Sequence, residues 1–168
     1  MQRAAELDPL SMVIQVEHAE FLDVVRRPEE AGVILAEQRE RYPDAMLVHV
    51  YSTYHAVANK DYDLLGESLA RVGALNGINT TGFAAEVQNA ATRGQALLQV
   101  RDLVGDLEME FALTRAALGD AAALDFLADI VATPRKIELY VPAVYMLLGP
   151  ELINDLRGKE ILRKLAEP

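Results

Sequence analysis

Apolar side chains recur at helical spacing along most of the chain, as in Val13, Val16, Ala19 and Leu22, and again in Val33, Ile34 and Leu35 with Gln38 following. These stretches are cut by breakers at regular places. Leu7-Asp8-Pro9, Arg41-Tyr42-Pro43 and Leu75-Asn76-Gly77 put a breaker at 9, 43 and 77, a spacing of 34. A second series interleaves at the same spacing: Arg26-Arg27-Pro28, Lys60-Asp61-Tyr62 and Gly94-Gln95-Ala96. A period of that length with two breakers per period predicts a repeated unit of two helices joined by a tight turn. Asp8-Pro9 and Pro43-Asp44 read as local stops and starts, because Pro fits the first helical turn and Asp can cap it.

The residues at fixed places in this period resemble the tetratricopeptide repeat family, in which small residues in both helices allow close approach and a Pro stands near the end of each unit. In the unit from Met12 to Ala45, Ala19, Ala31 and Pro43 occupy those places, with Leu35 at the large apolar position of the second helix. In the unit from Met46 to Asn79, Thr53, Leu65 and Gly77 occupy them, and Tyr62 follows Lys60-Asp61 where the family has a Gly-Asp turn. The third unit, from Thr80, keeps Val87 and an Arg93-Gly94 turn but has Gln99 at a small-residue site, and there the spacing lapses. A fourth hairpin is expected around the signature at 111–120, with a stop at Thr133-Pro134. The stretch 140–149 resembles the first helix of a last repeat, and 156–165 resembles the closing helix of tetratricopeptide regions in bacterial regulators. The resemblance implies an all-α, right-handed solenoid of about four to five antiparallel helical hairpins. Their approximate bounds are 12–45, 46–79, 80–104, 105–133 and 134–168, within a single domain. Met1 to Leu7 reads as the end of a second helix whose partner lies outside the sequence, so the chain is expected to be a fragment of a longer protein.

Composition agrees with a helical, folded chain. Of 168 residues, 51% are apolar and 25% charged, while aromatic residues make up 6% and Trp is absent, which favours close helix-on-helix packing over an aromatic sheet. The formal charge of −10 repels phosphate backbones, and the basic clusters are short and scattered, so direct nucleic-acid binding is not expected. Without Cys there is neither a disulfide framework nor a thiol nucleophile. No apolar run approaches the roughly 18 residues that span a bilayer, so no membrane association is expected and the cytoplasm is the default compartment.

Candidate chemistry is sparse. His18, His49 and His55 have no Glu or His three or four residues away in the pattern of a helical metal site, and the dense cluster Glu17-His18-Glu20 has members one to three residues apart. No Asp stands at a matching helical spacing from His55, and no phosphate-binding Gly-Lys-Ser or Gly-Lys-Thr occurs. Neither an enzyme, nor a metal, nor a cofactor is expected.

The tetratricopeptide resemblance places a partner-binding groove on the first helix of each unit, at its second, fifth, sixth, ninth, twelfth and thirteenth residues. Among these positions Val13, Glu17, Glu20, Leu47, Val50, Tyr51, Tyr54 and Gln88 form the candidate site, an acidic opening followed by an apolar and aromatic floor. Asp23 belongs to the acidic end. No Lys or Arg falls among the inner positions, which departs from members that clamp a terminal carboxylate and argues against a co-chaperone. Such a groove suits a protein or peptide segment with basic and apolar anchors, and implies a scaffold serving signalling or transcription regulation. Two alternatives are open: self-association through the end that carries Leu7 and Val13, or small-molecule sensing in a cavity under Tyr51 and Phe83.

Overall fold

The computed structural model describes residues 2–99, with the single residues Lys159 and Arg163, both helical and exposed. The chain divides into two compact units, Met1–Asp106 and Leu107–Pro168, and the helices described here lie in the first. The hairpins expected over 105–133 and 134–168, the signature at 111–120 and, apart from Lys159 and Arg163, the closing helix over 156–165 lie outside the described residues.

Among the described residues all regular structure is helical: α1 (Gln2–Leu7), α2 (Met12–Val24), α3 (Pro28–Arg41), α4 (Met46–Asn59), α5 (Tyr62–Leu75), α6 (Phe83–Gln88) and α7 (Arg93–Leu98). α2 and α4 begin 34 residues apart, as do α3 and α5. The sequence explains most of these starts. Ser11 caps α2, its hydroxyl facing the Ile14 amide at 3.5 Å, while Asp8 accepts from the Ser11 amide at 3.1 Å. Pro28 is the first residue of α3, where its missing N–H costs nothing. Asp61 caps α5 by accepting from the Leu64 amide at 3.0 Å. The expectation that Asp44 caps α4 is not met. The N-cap is Ala45, without a side-chain bond, and Asp44 instead pairs with Arg71 of α5.

The turns between the paired helices repeat as well. Arg26 (φ 65°) and Lys60 (φ 57°), one period apart, both take the left-handed conformation that reverses the chain between helices. That conformation suits Gly best, so a side chain there carries strain. Short connections of this kind lay α2 against α3 and α4 against α5, and α4 also packs on both α2 and α3. α4 is thus the central helix, buried without interruption from Tyr51 to Val57.

Burial follows the same period. Ala19 and Thr53, Leu22 and Ala56, Ala31 and Leu65, Leu35 and Leu69, and Gln38 and Val72 are pairs 34 apart, and both members of each are buried. Val16, Ala19, Leu22, Ala31, Leu35, Val48 and Tyr51 form one continuous core, each large aliphatic worth roughly 1.5–3 kcal/mol of transfer free energy. At the junction of α3, α4 and α5 the Pro43 carbonyl accepts from His49 Nε2 at 2.8 Å and Arg71 Nε at 3.1 Å, tying the turn to two helices. Burial, above all, holds the His49 imidazole below its ordinary pKa, so the ring is neutral and Nε2 carries the donated proton.

After α5 the period fails. Helix is expected from Thr80 but begins at Phe83, after Gly82 at φ 82°, and α6 ends at Gln88 after only six residues. Asn79 and Asn89 turn their side chains onto the amides of Thr81 and Ala91, both at 3.0 Å, and so favour turns over helix at each end of α6. Arg93-Gly94, expected as a turn, is the first turn of α7. Val87 is fully buried as its place in the period implies, whereas Gln99, at the small-residue site, is exposed. α6 still packs tightly on α5: a Cβ at Gly66 would stand 2.8 Å from the Ala84 carbonyl oxygen. Arg93 closes the loop between α6 and α7, lying 3.4 Å over the Tyr62 ring and donating to the Val87 and Gln88 carbonyls at 2.7 and 2.9 Å.

Candidate functional site

The candidate groove residues divide by exposure. On α2, Val13 is exposed, Glu17 is half-buried and Glu20 is buried at 5% exposure. On α4, Leu47 packs against the core, Val50 is half-buried, and Tyr51 and Tyr54 are each 6% exposed. Gln88, at the end of α6, is exposed. The two tyrosine rings meet at 5.9 Å between centroids with their planes 54° apart, a tilted packing that favours an aromatic pair. The structure therefore gathers an aromatic pair on α4 and an acidic row on α2, two helices in contact. A merely solvated acidic face is not what forms, because Glu20 and Asp23 are both buried.

Asp23 has a partner that sequence spacing did not reveal. His55 of α4 turns Nδ1 to both of its carboxylate oxygens, at 3.0 and 2.8 Å, and its side chain is only 10% exposed against 3% for Asp23. Two acceptor oxygens facing Nδ1 put the proton on that nitrogen, which donates. Asn59, one turn on, donates to the His55 carbonyl at 2.8 Å and to Asp23 Oδ1 at 3.4 Å. On α3, Gly32 makes room for the ring, since a Cβ there would stand 3.3 Å from His55 Nε2. A search for partners three or four residues away, within one helix, cannot find such a pair. The usable signal is the period itself, because contacts between successive units fall near the repeat length, here 32 residues apart.

Glu20 is different. Its pKa is pushed from the ordinary 4.5 to about 7, first by burial and then by the neighbouring carboxylates of Glu17 and Asp23. Its Oε1 is buried without a hydrogen-bond partner among the described residues. Desolvation and like charge both disfavour the anion, and no compensating donor reaches this oxygen.

Ser52 and Thr53 donate their hydroxyls to carbonyls of their own helix, Val48 at 2.8 Å and His49 at 3.0 Å, which leaves the Asp23–His55 pair acting between helices. Among the described residues no group of three or more His, Asp or Glu side chains is arranged to hold a metal ion. Among them, too, no helix is long and apolar enough to cross a membrane.

No family model matches the chain, and neither a curated protein nor a solved structure matches it.

Proposed function

We propose that the chain is a right-handed stack of tetratricopeptide-type hairpins that holds a segment of a partner protein along the opening helices of its units. In this reading it is the regulatory or sensory region of a bacterial transcriptional regulator or signalling protein in the cytoplasm, and it carries out no covalent chemistry. The observation that supports it is the burial pattern that repeats at 34 residues through α2–α5, together with the packing of α2 on α4. A stack in which opening helices are neighbours offers their inner row as one continuous surface. Val13, Glu17, Leu47, Val50 and Gln88 contribute the accessible part of that row, with Tyr51 and Tyr54 beneath.

Selection of a displayed random-peptide library on the purified chain tests this reading. Selected peptides are expected to lose most of their affinity, measured by calorimetry, to the Val13→Asp and Val50→Asp variants. Peptides that bind all variants equally would place recognition elsewhere.

Self-association is a second reading, favoured by the exposure of Leu7 (75%) and Leu10 (71%) beside α1. Sedimentation across a concentration series decides it: a dimer dispersed by Leu7→Asp with Leu10→Asp supports pairing, and a monomer at all concentrations removes it.

A further inference from the structure

The chain leaves α5 through Leu75-Asn76-Gly77, the breaker that stands one period after Arg41-Tyr42-Pro43. Where the earlier unit stops on Pro, this one stops on a glycine in the left-handed conformation, at φ 78°. The turn is tied down by its own backbone. The Asn76 amide donates to the Val72 and Gly73 carbonyls at 3.1 and 3.0 Å, the Gly77 amide to Ala74 at 3.0 Å, and the Ile78 amide back to Gly73 at 2.9 Å. Asn76 and Gly77 are nevertheless both exposed, and apart from the chain neighbours nothing stands within 4 Å of the place a Gly77 Cβ would take.

An asparagine followed by glycine is open to attack of the next backbone nitrogen on its side-chain carbonyl, since glycine has no Cβ to hinder the approach and can take the backbone angles it needs. Conformation decides whether the attack occurs. At φ −84° and ψ 5° the Asn76 backbone sets the Gly77 nitrogen beside its own nitrogen and turns it away from the Asn76 side chain. The Gly77 N–H, whose proton must leave, is held by the Ala74 carbonyl. The intact cap therefore blocks the reaction on two counts, at an exposed place that water reaches.

We propose that Asn76 is a deamidation site gated by this cap, a modification that accumulates with openings of the end of α5. The proposal goes beyond the scaffold reading and does not depend on it. Once the cap opens, the Gly77 N–H gives its proton to hydroxide and the nitrogen bonds to Asn76 Cγ. The Cγ–Nδ2 bond breaks, and ammonia leaves with a proton taken from water, which restores the hydroxide. Water then opens the cyclic imide. Breaking the new bond to Cγ gives aspartate, and breaking the original bond to the Asn76 carbonyl carbon gives isoaspartate. Either product disfavours return of the cap. A carboxylate at this position faces the carbonyls at the negative end of α5, and isoaspartate adds the side-chain methylene to the main chain inside the bonded turn.

The test incubates the full chain at mildly alkaline pH, folded and in guanidinium chloride, and follows Asn76 by peptide mass mapping, with isoaspartate quantified by enzymatic methylation. Asn79 and Asn89, exposed and followed by Thr80 and Ala90, are the internal references. In denaturant Asn76 is expected to convert about tenfold faster than either reference, and in the folded chain at least about tenfold more slowly than in denaturant. Ile78→Pro removes one donor of the cap without touching the reacting atoms, and is expected to bring the rate in the folded chain toward that in denaturant while far-UV circular dichroism keeps its helical signal. Equal rates at Asn76 in the folded and the denatured chain overturn the proposal, and this comparison decides alone if Ile78→Pro fails to fold. Conversion of Asn76 no faster than of Asn79 and Asn89 in denaturant overturns it as well. An unchanged rate in a folded Ile78→Pro chain overturns the cap as the gate.

Discussion

Positions 20 and 54 lie one period apart on α2 and α4 and are almost equally hidden, at 5 and 6% exposure, yet one holds a carboxyl and the other a phenol ring. The contrast extends along both helices. Where α4 has Tyr51 and Val57, α2 has Glu17 and Asp23. α4 is packed by α2, α3 and α5, so even its His49, Ser52, Thr53 and His55 are buried, and each has a hydrogen bond to a carbonyl or carboxylate. α2 has the short α1 on one side and leaves Val13, Phe21 and the following Val25 exposed. The same backbone register thus serves two ends. In α4 it buries a satisfied, largely apolar helix, and in α2 it buries charge with one carboxyl unanswered.

The strongest way to break the comparison is to remove the charge that links the two helices. Asp23→Ala leaves the buried His55 Nδ1–H without its acceptor, and is expected to cost roughly 3 kcal/mol in urea denaturation. Val57→Ala, in the same register on α4, removes only apolar contact and is expected to cost roughly 1–2 kcal/mol. Equal costs would mean that the pair contributes no more than its packing.

The next effect is one of pH. Below about pH 4.5 Glu20 is protonated in both the folded and the unfolded chain and contributes nothing. Between there and about 7 the unfolded chain loses the proton while the folded chain keeps it, so stability falls as pH rises, and above 7 the loss is complete. Glu20→Gln lacks this dependence. Its stability relative to the parent is expected to grow by on the order of 3 kcal/mol from pH 4 to pH 8. A difference that stays flat across that range would show that Glu20 ionises normally.

Much of this architecture was legible in the sequence, and the reason is local. Pro28 and Asp61 mark helix starts through their own backbone chemistry, and small residues at Ala19 and Ala31 report close packing wherever helices cross. The broken period was legible only at Gln99, and not the short helices that already follow α5, because Asn79 and Asn89 act through side-chain bonds that compete with helix. The candidate site was less legible. The period placed Glu17, Glu20, Tyr51 and Tyr54 on opening helices, yet how far each is buried depends on the neighbouring helix, and the Asp23–His55 pair spans two units. Sequence spacing within one helix carries no trace of either.

The smallest effect sharpens what α2 and α4 share. Arg26 and Lys60 close the two helices in the left-handed conformation. Lys60→Gly and Arg26→Gly are each expected to stabilise by roughly 0.5–1 kcal/mol in thermal unfolding, the relief of side-chain strain exceeding the added freedom of the unfolded chain. A loss at both sites would mean that the side chains hold the turns.

The most direct test of the account is an amide chemical-shift map of the full chain titrated with a display-selected peptide. The account predicts that the largest changes fall together on α2 and α4, around Val13, Glu17, Glu20, Val50, Tyr51 and Tyr54. Changes confined to α3 and α5, with those residues unmoved, would contradict it.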